Sequence, residues 1–357
     1  MALASVLARH IVRTEFSDLP PETVEVTKRS ILDTMGVILA ASTLEDGCRA
    51  VVSLVKEAGG KAESSILAFG GKVSCGMAAF ANGSMTHAVD YDDTADDAVV
   101  HPTGASFPAA LAVAERLGKV SGREFITAIA LGNDLSTRLA LALKGSVVTT
   151  GWVNPSVFGV FGGVAAAGKL LGLTEEQMAH AFCCGFYQAG GSIEVAFGTG
   201  STIRAIRDAF TGKTAVLSAL LASQGLTGVE TSLDGPFGLY NLYFKGAYDA
   251  EAITQGLGKL FHGTWVSFKP WPCCRGTHSC VDATLSLVKE RDLLPGDVEG
   301  VTVTVGEHGR ALCTPLEERR RPKLSIDAKH SIPFTVALAI ARRNIVLADF
   351  KGERLAD

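Results

Sequence analysis

The 357-residue sequence is poor in charged and in aromatic side chains. Charged residues make up 20% of it and aromatic residues 7%, whereas hydrophobic residues make up 47%. Lysine and arginine together number 33 and aspartate and glutamate 37, so the formal net charge is −4. This balance argues against a nucleic-acid-binding protein, which usually carries a basic patch or stripe. The high apolar fraction and low net charge also exclude an intrinsically disordered chain.

The sequence also lacks long apolar runs and the CxxC spacing that is typical of metal-binding cysteines. No uninterrupted apolar stretch reaches the roughly 18 residues that a membrane-spanning helix needs. A cleaved leader is not expected, because acidic residues follow early, at Glu15 and Asp18. The eight cysteines include two adjacent pairs and no CxxC motif, so neither a disulfide framework nor a zinc site is indicated. We therefore expect a cytoplasmic protein with reduced cysteines and no membrane segment.

The apolar pattern predicts helices up to about residue 255. Pro21 marks the start of one helix, in which apolar residues recur from Ile31 to Leu39 at helical spacing. Further helices are predicted over residues 107–117 and 125–143, and after Thr174 as a plausible N-cap. A glycine- and alanine-rich run over residues 159–171 predicts a helix that packs closely against its neighbours.

The sequence changes character after Trp265. Residues 269–280 are dense in proline, cysteine and glycine and predict a structured loop, followed by a helix over 281–291. Alternating valine and threonine predicts a strand at 301–305, and residues 327–342 are again helical. We predict a large all-helical domain over residues 1–265 and a smaller α+β lid domain over 266–357. Since a lone strand cannot form a sheet, we expect this lid to be C-terminally incomplete.

The most polar segment of the helical half, residues 82–104, contains several aspartates and two histidines. Asp90, Thr94 and His101 are predicted to lie near one another where a helix passes into a loop. A carboxylate beside an imidazole raises the imidazole pKa and orients the ring for acid–base chemistry. The alternative without a function is a solvated acidic loop in which aspartate caps a helix.

One rival interpretation is a terpene synthase. Asp92, Asp93 and Asp96 fit the DDxxD motif with which such enzymes bind Mg²⁺ and diphosphate. The required second metal motif would begin at Asn133, but Leu141 stands where its last carboxylate should be. The low aromatic content is also unsuited to a pocket that shelters carbocations. We therefore expect no metal ion.

Two basic segments could bind an anionic substrate. Lys269, Arg275 and His278 surround a proline-rich turn, and Arg204 and Arg207 are three residues apart on a predicted helix. Arginines with this spacing can bind a carboxylate bidentately, although exposed pairs usually have no function. The cysteines near His278 raise the possibility of a thiol nucleophile, but a free cysteine is more often a small buried residue.

At these motifs the sequence resembles the MmgE/PrpD family, whose members include 2-methylcitrate dehydratases, cis-aconitate decarboxylases and iminodisuccinate epimerases. The similarity covers nearly the whole chain, at residues 30–36, 82–93, 101–104, 158–159, 269–274 and 327–331. The resemblance implies a mainly α fold with a large helical domain and a smaller α+β lid, usually as a homodimer. The active site would lie in the cleft between the two domains.

The resemblance also implies the site residues and the activity. The family's pattern falls on Asp90, Thr94, His101 and Lys269, with His278 as a looser match. It implies a lyase without a cofactor, most similar to 2-methylcitrate dehydratase, that abstracts a proton next to a carboxylate of a small polycarboxylate. Decarboxylation of cis-aconitate, epimerisation of the iminodisuccinate type, and a non-catalytic binding paralogue with a truncated lid remain alternatives.

Two departures from the family bear on that activity. Val153 stands where many relatives have a histidine, and Arg204 where dehydratases and decarboxylases often have a lysine. Residues 314–327 also lack the tyrosine found in the decarboxylase. These departures leave dehydration, decarboxylation and epimerisation open.

A division of roles follows from the resemblance. Cationic side chains would neutralise the substrate carboxylates and the developing enediolate; they are Lys269, Arg204 and either Arg207 or Arg275. His101, oriented by Asp90, is the candidate proton shuttle, and Lys269 is the alternative base if burial among cations lowers its pKa. We expect His101→Gln and Lys269→Ala each to abolish turnover while leaving the fold intact.

Overall fold

The computed structural model describes residues 2–145 and 147–355 and is mainly helical. Within these residues, one antiparallel hairpin pairs the two-residue strands β1 (Ser64–Ser65) and β2 (Lys72–Val73). The helices are α1 (Leu3–Arg13), α2 (Pro21–Leu44), α3 (Asp46–Ala58), α4 (Cys75–Thr86), α5 (Pro102–Leu117), α6 (Gly122–Leu141), α7 (Val147–Thr150), α8 (Asn154–Leu171), α9 (Glu175–Gln188), α10 (Ile193–Phe197), α11 (Arg207–Ser223), α12 (Leu239–Phe244), α13 (Ala250–Thr254), α14 (His278–Arg291), α15 (Glu307–Ala311), α16 (Leu316–Arg320), α17 (Ser325–Lys329) and α18 (Ile332–Arg342). The prediction of a mainly α fold is confirmed.

Local sequence signals set several helix starts. Pro21 is the first residue of α2, where its missing N–H is no loss and its fixed φ suits the helix. Thr174 caps α9 through a reciprocal pair of hydrogen bonds: the Gln177 amide donates to Thr174 Oγ1 at 3.1 Å, and the Thr174 amide donates to Gln177 Oε1 at 3.0 Å. Both starts agree with the sequence predictions.

Helix α8 lies at the centre of the helical part and packs against α5, α6, α9 and α11. Glycine permits this close packing. A Cβ on Gly132 of α6 would lie 2.6 Å from the Gly162 carbonyl oxygen of α8, and a Cβ on Gly162 would lie 2.7 Å from the Gly132 carbonyl oxygen. The Ala/Gly-rich helix therefore has the close-packing role that its sequence predicted.

The C-terminal part has a small hydrophobic cluster of its own, built around Val281, Leu285, Ala339 and Phe350, and α14 packs against α18. The predicted strand at residues 301–305 is wrong, because this segment has no regular structure. A valine–threonine alternation suits a strand, but a strand needs a partner to pair with. Among the described residues beyond β2, backbone pairing is limited to isolated bridges.

Two predicted helices also differ in detail. Residues 327–342 contain the end of α17 and all of α18, separated at His330 and Ser331; Ser331 Oγ accepts a hydrogen bond from the Phe334 amide at 3.0 Å. Arg204 lies in a turn before α11, so Arg204 and Arg207 do not share a helix. Within the described ranges, no helix has the length and apolarity needed to cross a membrane.

Candidate active site

A cavity of about 820 Å³ opens where the loop after α4, the start of α11 and the segment before α14 meet. Residues from both the helical part and the C-terminal part line it. Its polar lining includes His87, Asp90, Thr94, Asp96, His101, Asn154, Arg204, Arg207, Cys274, Arg275, His308 and His330.

The loop after α4 is fixed to the C-terminal part by backbone hydrogen bonds. The Thr94 amide donates to the Ser267 carbonyl at 3.0 Å, and the Ser267 amide donates to the Thr94 carbonyl at 2.8 Å. Within this loop Asp90 has φ 51°, in the left-handed region that non-glycine residues seldom occupy. Such a conformation costs on the order of 1–3 kcal/mol and persists only where surrounding contacts impose it. Those contacts come from the side chains that surround Asp90.

Asp90 lies between two cationic or potentially cationic groups. Lys269 Nζ contacts Asp90 Oδ1 and lies 3.5 Å from Asp92 Oδ1, and His330 Nε2 lies 2.8 Å from Asp90 Oδ2. Burial alone would raise the pKa of Asp90, but the charges of Lys269 and His330 hold that pKa well below its usual range. Asp90 is therefore an ionised, buried carboxylate.

Carboxylates surround the Lys269 ammonium. Burial alone would lower the pKa of Lys269, but the Asp90 and Asp92 carboxylates outweigh it and raise the pKa above its ordinary value. The condition under which Lys269 would be the base, namely a pKa lowered by burial among cations, is therefore not met. The Lys269 side chain is fully buried and is absent from the cavity lining.

Asp92 holds two histidines. His87 Nδ1 lies 2.9 Å from Asp92 Oδ1, and His101 Nδ1 lies 3.0 Å from Asp92 Oδ2. Burial alone would raise the pKa of Asp92, but His101, His87 and Lys269 hold it well below its usual range. The prediction that Asp90 orients His101 is wrong: Asp92 does so.

The same contacts fix the histidine tautomers. His101 Nδ1 lies 2.9 Å from the Asp93 carbonyl oxygen as well as close to Asp92, and both neighbours are acceptors. Each ring therefore carries a hydrogen on Nδ1, which leaves Nε2 free to exchange a proton. Burial and the charge of Arg207 hold the pKa of His87 well below its ordinary value, so this imidazole is neutral. His87 Nε2 is buried and has no hydrogen-bond partner among the described residues.

Two arginines face the cavity with unused donors. Arg207 is nine-tenths buried, and its Nε lies 3.4 Å from Asp208 Oδ1. Its Nη2 has no hydrogen-bond partner within the part of the chain that the structure describes, and the same holds for Arg204 Nε. The Arg204 guanidinium lies 5.7 Å from the centre of the Phe197 ring. Burial lowers the pKa of Arg204 to about 10, so it still carries its charge near neutral pH. Unpaired guanidinium donors in a cavity are suited to carboxylates.

The other predicted residues differ in position. Thr94 lines the cavity, and Arg275 lines it while forming a two-pronged ion pair with Asp96, with N···O distances of 2.8–3.1 Å. His278 is absent from the lining. Its Nε2 instead lies 3.1 Å from the Cys273 carbonyl oxygen. Burial, followed by the charge of Lys269, lowers the pKa of His278 to about 4. His278 is thus a buried neutral residue behind the site.

Several residues of the lining are not among the site residues predicted from the sequence. His87 and His330 belong to the motifs quoted for the resemblance, and Asp92 was considered only as part of a DDxxD string. A histidine five residues before an aspartate could have been a signal for His87. No local signal marks His308, because its contact with the cavity depends on the packing of α15.

The DDxxD interpretation is excluded by the geometry. Asp92 binds two histidines, Asp93 accepts a hydrogen bond from Thr103 Oγ1 at 2.5 Å, and Asp96 pairs with Arg275. The three carboxylates therefore have different partners and do not converge on one metal position.

Among the described residues, two groups of three side chains come close enough to be considered as metal ligands: His87 with Asp92 and His101, and His87 with Asp90 and His330. We assign neither group as a metal site. The Lys269 ammonium already pairs with both carboxylates, and separations of 2.9–3.0 Å between the histidine and Asp92 atoms suit a shared hydrogen.

Comparison with known protein families gives two matches. Models of the MmgE/PrpD N-terminal domain and C-terminal domain match residues 5–251 and 271–357. The chain belongs to the MmgE/PrpD family. The resemblance inferred from the sequence motifs is thereby confirmed.

The relatives of this MmgE/PrpD chain include cis-aconitate decarboxylases. That of Aspergillus terreus is 27% identical over 301 residues, covering 80% of this chain and 61% of the relative. That of Homo sapiens is 32% identical over 234 residues, covering 62% and 47%, and that of Mus musculus is 27% identical over 294 residues, covering 78% and 57%. The chain thus spans about three fifths or less of the length of these curated relatives.

Proposed function

We propose that this chain is a lyase without a cofactor that abstracts a proton next to a carboxylate of a small polycarboxylate. One observation carries the proposal: unpaired donors of Arg204 and Arg207 line the same cavity as His87 and His101, which Asp92 orients. Anion binding and proton transfer are thereby available at one place. The relatives that bear the name cis-aconitate decarboxylase support the same class of reaction.

In the proposed mechanism the two arginines bind substrate carboxylates and lower the energy of the developing enediolate. The imidazole of His101 or His87 removes the proton through Nε2. The ionised Asp92 then stabilises the imidazolium that forms. Lys269 is a positioning residue, because its charge keeps Asp90 and Asp92 ionised without contacting the cavity. Loss of water or of CO₂ can both follow from this arrangement.

Dehydration of a 2-methylcitrate-type substrate and decarboxylation of a cis-aconitate-type substrate are both proposed outcomes. The names of the relatives favour the second. Dehydration and epimerisation remain alternatives because of two departures from the family. These are Val153, which lines the cavity, and Arg204 in place of a lysine. Arg204 binds an anion but does not act as a base near neutral pH.

The deciding experiment is incubation of the purified chain with cis-aconitate, 2-methylcitrate and citrate. Loss or gain of unsaturated-acid absorbance is followed, and the products are identified by NMR. We expect turnover of at least one acid, strongly reduced in Arg207→Gln and largely retained in His278→Gln, which changes a histidine outside the cavity. Binding of these acids by calorimetry without turnover would favour the binding-paralogue alternative. If the chain neither binds nor turns over any of these acids, the proposal is refuted.

We also propose that the chain forms a homodimer. Leu32, Met35 and Leu39 are 72%, 43% and 59% exposed and follow one another at helical spacing on α2. An apolar stripe of this kind is suited to association. Light scattering should give twice the chain mass, and Leu32→Glu combined with Leu39→Glu should give the monomer. A monomeric unmodified chain at micromolar concentration would contradict the proposal.

A further inference from the structure

Within the described part of the chain, Cys274 is the one thiol in the lining of the cavity. The lining also contains Arg204 and Arg207, with their unused donors, and His330. Arg207 and His87 are each at least nine-tenths buried and line the same cavity, and Arg207 Nη2 and His87 Nε2 have no hydrogen-bond partner among the described residues. These unpartnered atoms independently indicate a ligand position in the cavity. The sulfur therefore shares the cavity with groups suited to hold an anion.

We propose that Cys274 is a modification site for small anionic electrophiles, namely α-halo acids and α,β-unsaturated dicarboxylates that Arg204 and Arg207 attract to the cavity. The inference uses the charge of the cavity and not the reaction proposed above. It therefore stands or falls independently of turnover.

The other cysteines offer a contrast within the same molecule. Cys48, Cys75 and Cys273 are buried, and burial raises their pKa to about 12, 11 and 12. Cys184, Cys280 and Cys313 are partly exposed, and burial raises the pKa of each. None of these six lines the cavity.

Cys274 has a different electrostatic environment. Burial would raise its pKa too, but His330, and to a smaller extent Arg204, outweigh burial and the opposing charge of Asp90 and lower it. The thiolate is the reactive form, and cationic neighbours favour it. The groups that would attract an anionic electrophile thus also favour the nucleophile.

The chemistry needs no oxidant or further reactant. With an α-halo acid, a sulfur–carbon bond forms, the carbon–halogen bond breaks, halide leaves and the thiol proton passes to solvent. With an α,β-unsaturated dicarboxylate, the sulfur bonds to the β-carbon and a proton is added at the α-carbon. The second adduct therefore has the mass of the protein plus that of the whole acid.

Competing alkylation with iodoacetate and iodoacetamide tests the proposal. Both reagents transfer a two-carbon group to thiols, but only iodoacetate is an anion. The rate at each cysteine is measured by peptide mass spectrometry, and the iodoacetate-to-iodoacetamide rate ratio at Cys274 is compared with that at Cys184 and Cys280. We expect a ratio at Cys274 that is on the order of 10-fold higher, because cationic clefts concentrate anions by at least that factor.

Two further measurements separate anion guidance from simple exposure. Arg207→Gln should bring the rate ratio at Cys274 close to that of the other cysteines, with the iodoacetamide rate little changed. Tricarballylate, a saturated tricarboxylate that cannot alkylate, should protect Cys274 and leave Cys184 labelled. Cys274→Ser identifies the labelled peptide. Equal ratios at all partly exposed cysteines, or an unlabelled Cys274 beside a labelled Cys184, would overturn the proposal.

Discussion

Replacing Lys269 with methionine tests the electrostatic structure of the site most directly. The substitution keeps most of the side-chain volume and removes only the charge. Asp90 and Asp92, with side chains 1% and 0% exposed, would lose the ammonium that both of them contact. Leaving buried partners uncompensated costs about 3–5 kcal/mol, against a total stability of about 5–15 kcal/mol for a typical protein. This revises the sequence-based expectation that changing Lys269 leaves the fold intact.

The effect should depend on pH in a defined direction. In the unmodified chain the pKa values of Asp90 and Asp92 are lowered, so their contribution is present above about pH 4 and is lost as pH falls through the lower folded values. In Lys269→Met, burial would instead raise those pKa values. The folded variant would then keep protons that the unfolded chain releases above pH 4. Its loss of stability relative to the unmodified chain should therefore be largest near pH 7 and smaller near pH 4.

Urea unfolding followed by circular dichroism at pH 4, 5.5 and 7 measures this difference. Lys28→Met is the matched control, because Lys28 forms an exposed ion pair with Glu25 and its loss should leave the midpoint unchanged. A deficit of Lys269→Met below about 1 kcal/mol at pH 7, or one that is the same at pH 4 and pH 7, would refute the reasoning.

Three further predictions concern the proton shuttle, metal ions and a helix cap. His101→Gln should lower turnover about 10²–10⁴-fold; near-normal turnover would remove His101 from the mechanism. Dialysis against EDTA should leave turnover unchanged, since Asp90 and Asp92 are already paired with Lys269; activity lost on dialysis and restored by one divalent cation would contradict this. Thr174→Ala should lower the free energy of unfolding by about 1 kcal/mol in urea titrations, and Thr174→Ser should restore most of it; equal stability of all three would argue against the cap.

Features decided within a few residues were predictable from the sequence. The start of α2 at Pro21 and the cap at Thr174 depend on backbone donors no more than four residues away, so local residue type suffices. The strand at 301–305 was wrong for the opposite reason. An alternating pattern fits an extended conformation, but pairing depends on a neighbour elsewhere in the chain.

The sequence indicated several residues of the site, but it did not indicate which of them contact one another. Asp90 and Asp92 are two residues apart, and Lys269 lies 177–179 positions further along the chain. The positive φ of Asp90 turns the loop so that the Asp90 carboxylate contacts Lys269, whereas Asp92 receives His87 and His101. Which carboxylate meets which partner depends on that turn. Spacing alone could not supply it.

The contact between Gly132 and Gly162 constrains how this chain can change over generations. Each glycine faces the backbone oxygen of the other, at a distance that leaves no room for a methyl group on either side. Because the obstacle at each position is main chain, no shrinking of a partner side chain can make space. A variant with alanine at one position is not rescued by any residue at the other. Neither glycine can therefore be replaced by a single substitution, and replacement would require both helices to move apart.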